Sequence, residues 1–170
     1  ISYNTGDGIN ITYTGGNRNI SYSTLSSNLG YGIAVWLNDS KETEYIHFNQ
    51  STAIQYSEIF KNLQIGVLHG NFCGDSWINI TGNWFNNSLE DAIEISSCWF
   101  PSNGKHLTLQ VGHNMFIQSQ KLSLKLQPVL NTIGKIEYNH FESGKFGSIF
   151  IKNLIENRYL DEFDVLPVDL

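Results

Sequence analysis

The residues of this sequence that could carry out acid–base or metal chemistry are scattered acids and histidines. Glu90 and Asp91 are adjacent carboxylates, and glycosidases use two carboxylates as acid and base. Adjacent residues of a strand point to opposite faces, so this pair is expected to be a solvated turn. Neither HxH nor HxxxH zinc spacing nor a Gly-X-Ser-X-Gly motif occurs, and the histidines are His47, His69, His106, His113 and His140. The sequence therefore predicts no catalytic residue, no metal site and no cofactor.

Cleavage of acidic polysaccharides is the enzymatic alternative. Polygalacturonase-like enzymes combine clustered aspartates with Gly-His-Gly and Arg-X-Lys motifs, of which only TGDGI (Thr5–Ile9) has a partial counterpart. Its Asp7 is expected to form a tight turn, and VGHN around His113 lacks the second glycine. Pectate lyases need several carboxylates for calcium and an arginine base, and no such set accompanies Arg18 or Arg158. We expect a protein that is not an enzyme, with a carbohydrate-active or carbohydrate-binding protein of these classes as the alternative.

The composition argues against nucleic acid as a partner. The 170 residues carry a formal net charge of −6, whereas nucleic acid and anionic membrane surfaces bind concentrated basic faces. No apolar run approaches the ~20 residues of a membrane span, and no signal peptide opens the sequence. Because the first residue is not Met, the chain is expected to be a piece of a larger precursor.

A loose repeat organises the chain around an apolar position zero, which is occupied by Ile1, Leu25, Ile59, Phe85, Phe116 and Phe141. The spacings are 24, 34, 26, 31 and 25 residues, so the longer units contain insertions. Eight residues after position zero stand Ile9, Ile33, Val67, Ile93, Leu124 and Ile149. Ten residues after it stand Ile11, Val35, His69, Ile95, Leu126 and Ile151. Five residues before it stand Ile20, Ile54, Ile80, Val111 and Ile136.

Within each unit, apolar and polar residues alternate with a period of two, which indicates short strands. Short-strand units of about 25 residues, separated by polar turns, are typical of a solenoid, and the Leu-X-X-Leu-X-Leu rhythm of leucine-rich repeats is missing. The sequence therefore predicts an all-β, right-handed parallel β-helix of about six coils. The coils span residues 1–151 and begin with a truncated one, and the acidic segment 152–170 is a cap or the start of a further coil.

Equivalent residues of successive coils are expected to stack about 4.8 Å apart, which gives two inward stacks, at position zero and five residues before it. Two residues before position zero, Asn83, Asn114 and Asn139 recur. They are expected to form an amide ladder at a corner, to be turn asparagines with left-handed backbone, or to be both. His69 occupies a core position and is expected to be a hydrogen-bonded interior or rim histidine.

Glycosylation signals and the cysteines favour an extracellular location. The Asn-X-Ser/Thr acceptors are Asn10, Asn19, Asn38, Asn49, Asn79 and Asn86. None falls at a predicted core position, and Asn10, Asn19 and Asn79 are expected to face outward. Cys73 and Cys98 stand fourteen and thirteen residues after position zero of adjacent coils. A disulfide between them is predicted, with two buried free thiols as the alternative.

Tryptophans are the candidate contact residues. Trp84 precedes the inward Phe85 and is expected to face outward, where it could anchor a partner or stack on a sugar. Trp36, Trp77 and Trp99 are expected to pack insertions onto the side of the helix.

The units NLGYGIAV, NWFNNSLEDAIEISSC and VLNTIGKIEYNHFESGKFGSIFI resemble the parallel β-helix repeats of large animal cell-surface proteins. They are similar to the Anakonda family, single-pass membrane proteins of epithelial tricellular junctions, over nearly the whole chain. The resemblance implies a non-catalytic ectodomain segment on the extracellular face of the plasma membrane, within a membrane-anchored protein. It would help to assemble the contact where three cells meet and to seal the paracellular route.

The expected partners are other cell-surface proteins or the protein itself, with glycans as a further option. Inserted loops such as residues 36–53 are expected to carry the specificity. A phage or viral adhesin remains a weaker alternative, which should form trimers and need no glycans.

Overall fold

The computed structural model describes residues 1–12, 16–36, 50–72, 75–97, 107–126, 132–142, 149–151 and 163–165. Within these ranges the chain forms β-strands and no helix. The strands are β1 (Ile9–Thr12), β2 (Gly16–Ser21), β3 (Thr24–Ser26), β4 (Ile33–Trp36), β5 (Gln50–Gln55), β6 (Glu58–Phe60), β7 (Val67–Phe72), β8 (Ser76–Thr81), β9 (Trp84–Asn86), β10 (Ile93–Ser97), β11 (Leu107–Gly112), β12 (Met115–Ile117), β13 (Leu124–Leu126), β14 (Thr132–Glu137), β15 (His140–Glu142), β16 (Ile149–Ile151) and β17 (Phe163–Val165).

The strands form three parallel sheets that run along the solenoid. Sheet 1 has the order β1-β4-β7-β10-β13-β16, sheet 2 the order β2-β5-β8-β11-β14-β17, and sheet 3 the order β3-β6-β9-β12-β15. Each strand therefore pairs with the equivalent strands of the coils before and after it, and successive strands of the chain lie in different sheets. Parallel crossovers of this kind are right-handed. The fold is an all-β, right-handed parallel β-helix, and this prediction is confirmed.

The strand register follows the repeat frame residue by residue. In sheet 2, Ile20 pairs with Ile54, Ile54 with Ile80, Ile80 with Val111, and Val111 with Ile136. The unequal spacings do not disturb this register because the extra residues lie between strands, as residues 37–49 do between β4 and β5. Beyond the coils, Val165 of β17 pairs with Ile136, so residues 163–165 continue sheet 2. The remainder of 152–170 lies outside the described residues.

Inward side chains of all three sheets form one core. The position-zero residues pair in sheet 3 and are buried, from Leu25 and Ile59 to Phe85, Phe116 and Phe141. The Phe85 and Phe116 rings stack with centroids 5.0 Å apart and planes 8° apart, and those of Phe116 and Phe141 stack at 4.9 Å and 4°. Stacking of coils thus buries rings that one coil alone would leave exposed.

The predicted asparagine ladder runs along the corner between sheets 2 and 3. Asn83 Nδ2 donates to Asn114 Oδ1 at 3.0 Å, and Asn114 Nδ2 donates to Asn139 Oδ1 at 3.0 Å. Each Oδ1 also accepts the backbone N–H of the preceding asparagine, at 2.9 and 3.0 Å. The ladder interpretation is confirmed. The left-handed backbone instead belongs to the residues just before the asparagines, namely Gly82, His113 and Tyr138.

A second ladder, which the sequence analysis missed, lies three residues after position zero. Asn4 Nδ2 donates to Asn28 Oδ1 at 2.9 Å, and Asn28 Nδ2 donates to Asn62 Oδ1 at 2.8 Å. The next coils place the buried Ser88 and Ser119 at the same offset. The signal for this ladder was the constant offset of its asparagines from position zero. The signal was obscured because the later coils have Ser in place of Asn at this offset.

Candidate interaction surface

The acidic residues that were considered as an acid–base pair, Glu90 and Asp91, bond to residues of the next coil. Asp91 Oδ1 accepts the Leu122 backbone N–H at 3.0 Å and its Oδ2 lies 3.7 Å from Lys125 Nζ, while Glu90 pairs with Lys121 at 3.1 Å. The prediction of a solvated turn was wrong for Asp91, which is buried. It is buried because its carboxylate accepts a backbone N–H of the next coil. Asp7 Oδ1 accepts the Tyr31 N–H in the same way, at 2.9 Å.

Histidines do not assemble a metal site in the described part of the chain. There, no group of three or more His, Cys, Asp or Glu side chains could hold a metal ion. His113 is exposed and stacks on Tyr138, and His140 is exposed on sheet 3. The backbone of His69 pairs with Val35 and Ile95 as the repeat frame requires. Its side chain lies outside the described structure, as do His47 and His106.

Among the described residues, Tyr31 is a group whose pKa the fold changes. Burial raises the pKa of its phenol above 10.0, and the nearby carboxylates of Asp7, Glu90 and Glu94 raise this pKa further. Its neutral form is therefore favoured in the folded state. This contribution to stability is present below pH 10 and is lost as the pH rises through the folded pKa.

An exposed row of aromatic residues lines the corner between sheets 2 and 3. This aromatic corner row occupies the position three residues before position zero, where every described coil has a left-handed backbone. Its members are Tyr22 (φ 50), Tyr56 (φ 51), Gly82 (φ 69), His113 (φ 54) and Tyr138 (φ 54). Left-handed backbone costs roughly 1–2 kcal/mol for a residue with a side chain, and Gly or Asn is the usual occupant. The aromatic rings at this corner therefore stand on strained backbone, as the residues Ser27, Lys61 and Gln118 do at the other end of the sheet 3 strands.

The rings of the aromatic corner row project into solvent in stacked pairs. Tyr22, Tyr56 and Tyr138 are 81%, 54% and 62% exposed. Tyr22 and Tyr56 stack with centroids 5.4 Å apart, and His113 and Tyr138 with centroids 5.0 Å apart. Gly82 lies between the two pairs. A Cβ at this position would lie 2.7 Å from the Tyr56 ring, so the ring occupies the space that a side chain would need. The row was not predicted from the sequence because Gly82 and His113 interrupt the tyrosines at this offset.

Trp84 faces outward on sheet 3, as predicted, but neighbouring side chains cover part of it. Its ring lies 5.9 Å from that of Phe60, and it is half-buried. Trp77 faces outward on β8 and is 38% exposed. Trp36 donates its indole N–H to Asn10 Oδ1 at 3.1 Å. The insertions that Trp36 and Trp77 were expected to pack against the helix lie outside the described residues, as does Trp99.

Four of the glycosylation acceptors lie on the surface of the described coils. Asn10 and Asn19 are exposed, and Asn79 and Asn86 are half-buried on outward strand positions. Asn38 and Asn49 lie outside the described residues.

Cys73 and Cys98 also lie outside the described ranges, so their disulfide stays a prediction. The residues just before them support it, because Phe72 of β7 pairs with Ser97 of β10. An irregularity between Ile95 and Ser97 shifts this register. The shift is one residue, which equals the difference between the two cysteines in their sequence distance from position zero, fourteen and thirteen residues.

The three parallel sheets, stacked coil on coil, define the class of protein as a parallel β-helix. Most of this chain (96%) is similar to a segment of protein bark beetle from Drosophila melanogaster, with 50% identity over 192 aligned residues. The chain spans only 6% of the length of that relative. No family model matches the chain, and no solved structure matches it. Within the described ranges, no helix is long and apolar enough to cross a membrane.

Proposed function

We propose that this chain is a non-catalytic, extracellular β-helix segment of a membrane-anchored junction protein that organises contacts between epithelial cells. The contact is the one where three cells meet, and its assembly helps to seal the paracellular barrier. The observation that carries the proposal is the 50% identity to protein bark beetle across nearly the whole chain. Identity at this level over 96% of the chain supports a shared role of the segment.

The architecture suits adhesion because the coils form a stiff spacer. Strand pairing in the parallel sheets joins every described coil to the next, so a surface on one corner keeps a fixed geometry over several coils. The aromatic corner row is the surface that we assign to the partner, another cell-surface protein or a second copy of this one. Exposed tyrosines give large contact area at a low cost in side-chain entropy, and they are frequent hot spots of interfaces.

The contact surface can be tested with Tyr22→Asn and Tyr56→Asn combined. Asparagine tolerates the left-handed backbone, so the fold is expected to be kept while the rings are lost. Binding of the secreted segment, coated on beads, to epithelial cells is expected to fall at least about tenfold. Aggregation of the beads with one another would identify a second copy as the partner.

The matched control for the corner is Lys61→Asn. Lys61 has the same left-handed backbone (φ 54) but lies at the opposite end of the sheet 3 strand, away from the aromatic corner row. This variant is expected to bind cells as the parent segment does. Equal binding by the Tyr22, Tyr56 double variant would refute the assignment of the contact surface.

The extracellular location can be tested by mass spectrometry of the protein isolated from an epithelium. We expect N-glycans on surface acceptors such as Asn10 and Asn19, and a disulfide that joins Cys73 to Cys98. Oxidation of the thiols and attachment of N-glycans both require the secretory route. Two free thiols together with unmodified acceptors would contradict the proposed location.

A further inference from the structure

Two outward tryptophans each share a strand face with a glycosylation acceptor two residues later. On β8, Trp77 and Asn79 face outward on either side of the buried Ile78. On β9, Trp84 and Asn86 face outward on either side of the buried Phe85. There are six acceptors in 170 residues, so the chance that a given tryptophan stands two positions before an acceptor is about one in thirty. The recurrence on two adjacent strands of one coil is therefore a feature to explain.

The acceptor on sheet 3 lies within an apolar surface patch. In the strand register, Asn86 lies between Phe60 and Ile117, and Trp84 lies between Glu58 and Met115. Met115 is 43% exposed, and the Phe60 and Trp84 rings are in contact. We call Phe60, Trp84, Met115 and Ile117 the sheet 3 patch. A sugar attached to Asn86 would have apolar side chains on three sides, those of Phe60, Ile117 and Trp84.

The acceptor on sheet 2 has more open surroundings. Asn79 lies between Ala53 and Gln110, and Trp77 lies between Ser51 and Thr108. The small neighbours leave the indole 38% exposed. Thr81, the third residue of the acceptor motif, donates its hydroxyl to Asn79 Oδ1 and orients the amide.

We propose that N-linked glycans on Asn79 and Asn86 fold back onto Trp77 and Trp84, so that the first sugars cover these indoles. Side chains two residues apart on a strand stand about 7 Å apart on one face, which suits contact between a sugar on one and a ring on the other. The C–H face of a pyranose stacks on an aromatic ring and removes apolar surface from water. The inference rests on the proposed extracellular location. It makes the glycan on Asn86 of this chain, and not a separate partner, the group that contacts Trp84.

Ser88→Ala offers a clean way to remove the glycan on Asn86. Ser88 completes the acceptor motif, and its hydroxyl is buried with no hydrogen-bond partner in the part of the chain that the structure describes. Alanine therefore abolishes glycosylation and removes no observed hydrogen bond. In the secreted protein, Ser88→Ala is expected to lower the folding equilibrium constant about three- to tenfold relative to its effect in enzymatically deglycosylated protein, a comparison that cancels the gain from removing the unpaired hydroxyl. In a Trp84→Ala background this difference is expected to be less than about twofold.

The repeat supplies a matched control for the sheet 2 pair. Asn19 occupies the coil position of Asn79, and Asn17 occupies the position of Trp77. Enzymatic removal of glycans from variants that keep a single acceptor is expected to destabilise the protein that carries the glycan on Asn79. The protein glycosylated on Asn19 is expected to change little.

The outcomes separate this inference from the proposed function. Occupied acceptors at Asn79 and Asn86 with no dependence on Trp77 or Trp84 would overturn the inference and leave the extracellular location intact. Glycans on Asn10 or Asn19 together with unmodified Asn79 and Asn86 would have the same consequence. A protein from its native tissue with no glycan on any acceptor would overturn the proposed location.

Discussion

Replacement of Asn114 by alanine is expected to lower the free energy of unfolding by about 3–5 kcal/mol. Its side chain is buried and makes four ladder contacts within 3.0 Å, to Ile80 O, to Asn139 Oδ1, and to both nitrogens of Asn83. Alanine would leave the buried Asn83 N–H without its acceptor and Ile80 O without this donor. Each lost partner of a buried polar group costs about 1–3 kcal/mol. Urea unfolding followed by circular dichroism measures the loss.

The control for the Asn114 variant is Asn4→Ala, at the end of the second ladder. Asn4 is exposed, and its side chain donates one ladder bond, from Nδ2 to Asn28 Oδ1, while its backbone bonds to Asn28 Oδ1 and Leu29 do not depend on the side chain. Water can replace its contacts, so the expected loss is about 1 kcal/mol or less. Similar losses for the two variants would show that the corner ladder contributes no more than ordinary turn residues.

The second large effect is expected for Phe116→Ala, with a loss of about 4–5 kcal/mol. Phe116 is fully buried, and its ring stacks between those of Phe85 and Phe141 at 5.0 and 4.9 Å. The change removes a large apolar surface, leaves a cavity, and ends both stacking contacts, each of which contributes about 0.5–1.5 kcal/mol. Neighbouring coils are tied by their strands and cannot collapse into the space. Equilibrium unfolding in urea measures the effect.

Two variants separate volume from stacking at this site. Phe116→Leu keeps most of the volume and is expected to cost about 1–3 kcal/mol. Met115→Ala, on the adjacent outward position that is 43% exposed, is expected to cost less than about 1 kcal/mol in unglycosylated protein. A Phe116→Ala loss no larger than that of Met115→Ala would contradict the assignment of the ring stack to the core.

The sequence by itself determined the register of this protein. Most inward positions of this β-helix are apolar, so the offsets of Ile80, Val111 and Phe116 from their neighbours recur and can be counted. The same frame correctly placed the Asn83–Asn139 ladder, since a buried amide at a corner finds a partner in its equivalents above and below. Period-two alternation also fixed which acceptors face outward.

Only the tertiary structure decided what the corners present. The row from Tyr22 to Tyr138 stands at one offset from position zero, but its left-handed backbone and the exposure of its rings follow from the bend between two strands and not from the residue types. The partners of Asp91 and Asn28 lie on other coils, at sequence distances of 31 and 34 residues for their hydrogen bonds to Leu122 and Asn62. Coil lengths differ, so these sequence distances differ from step to step, although the bonded residues share one offset from position zero. Hydrophobic burial repeats along the chain and is visible in it, whereas turn geometry and polar pairing arise only when one coil rests on the next.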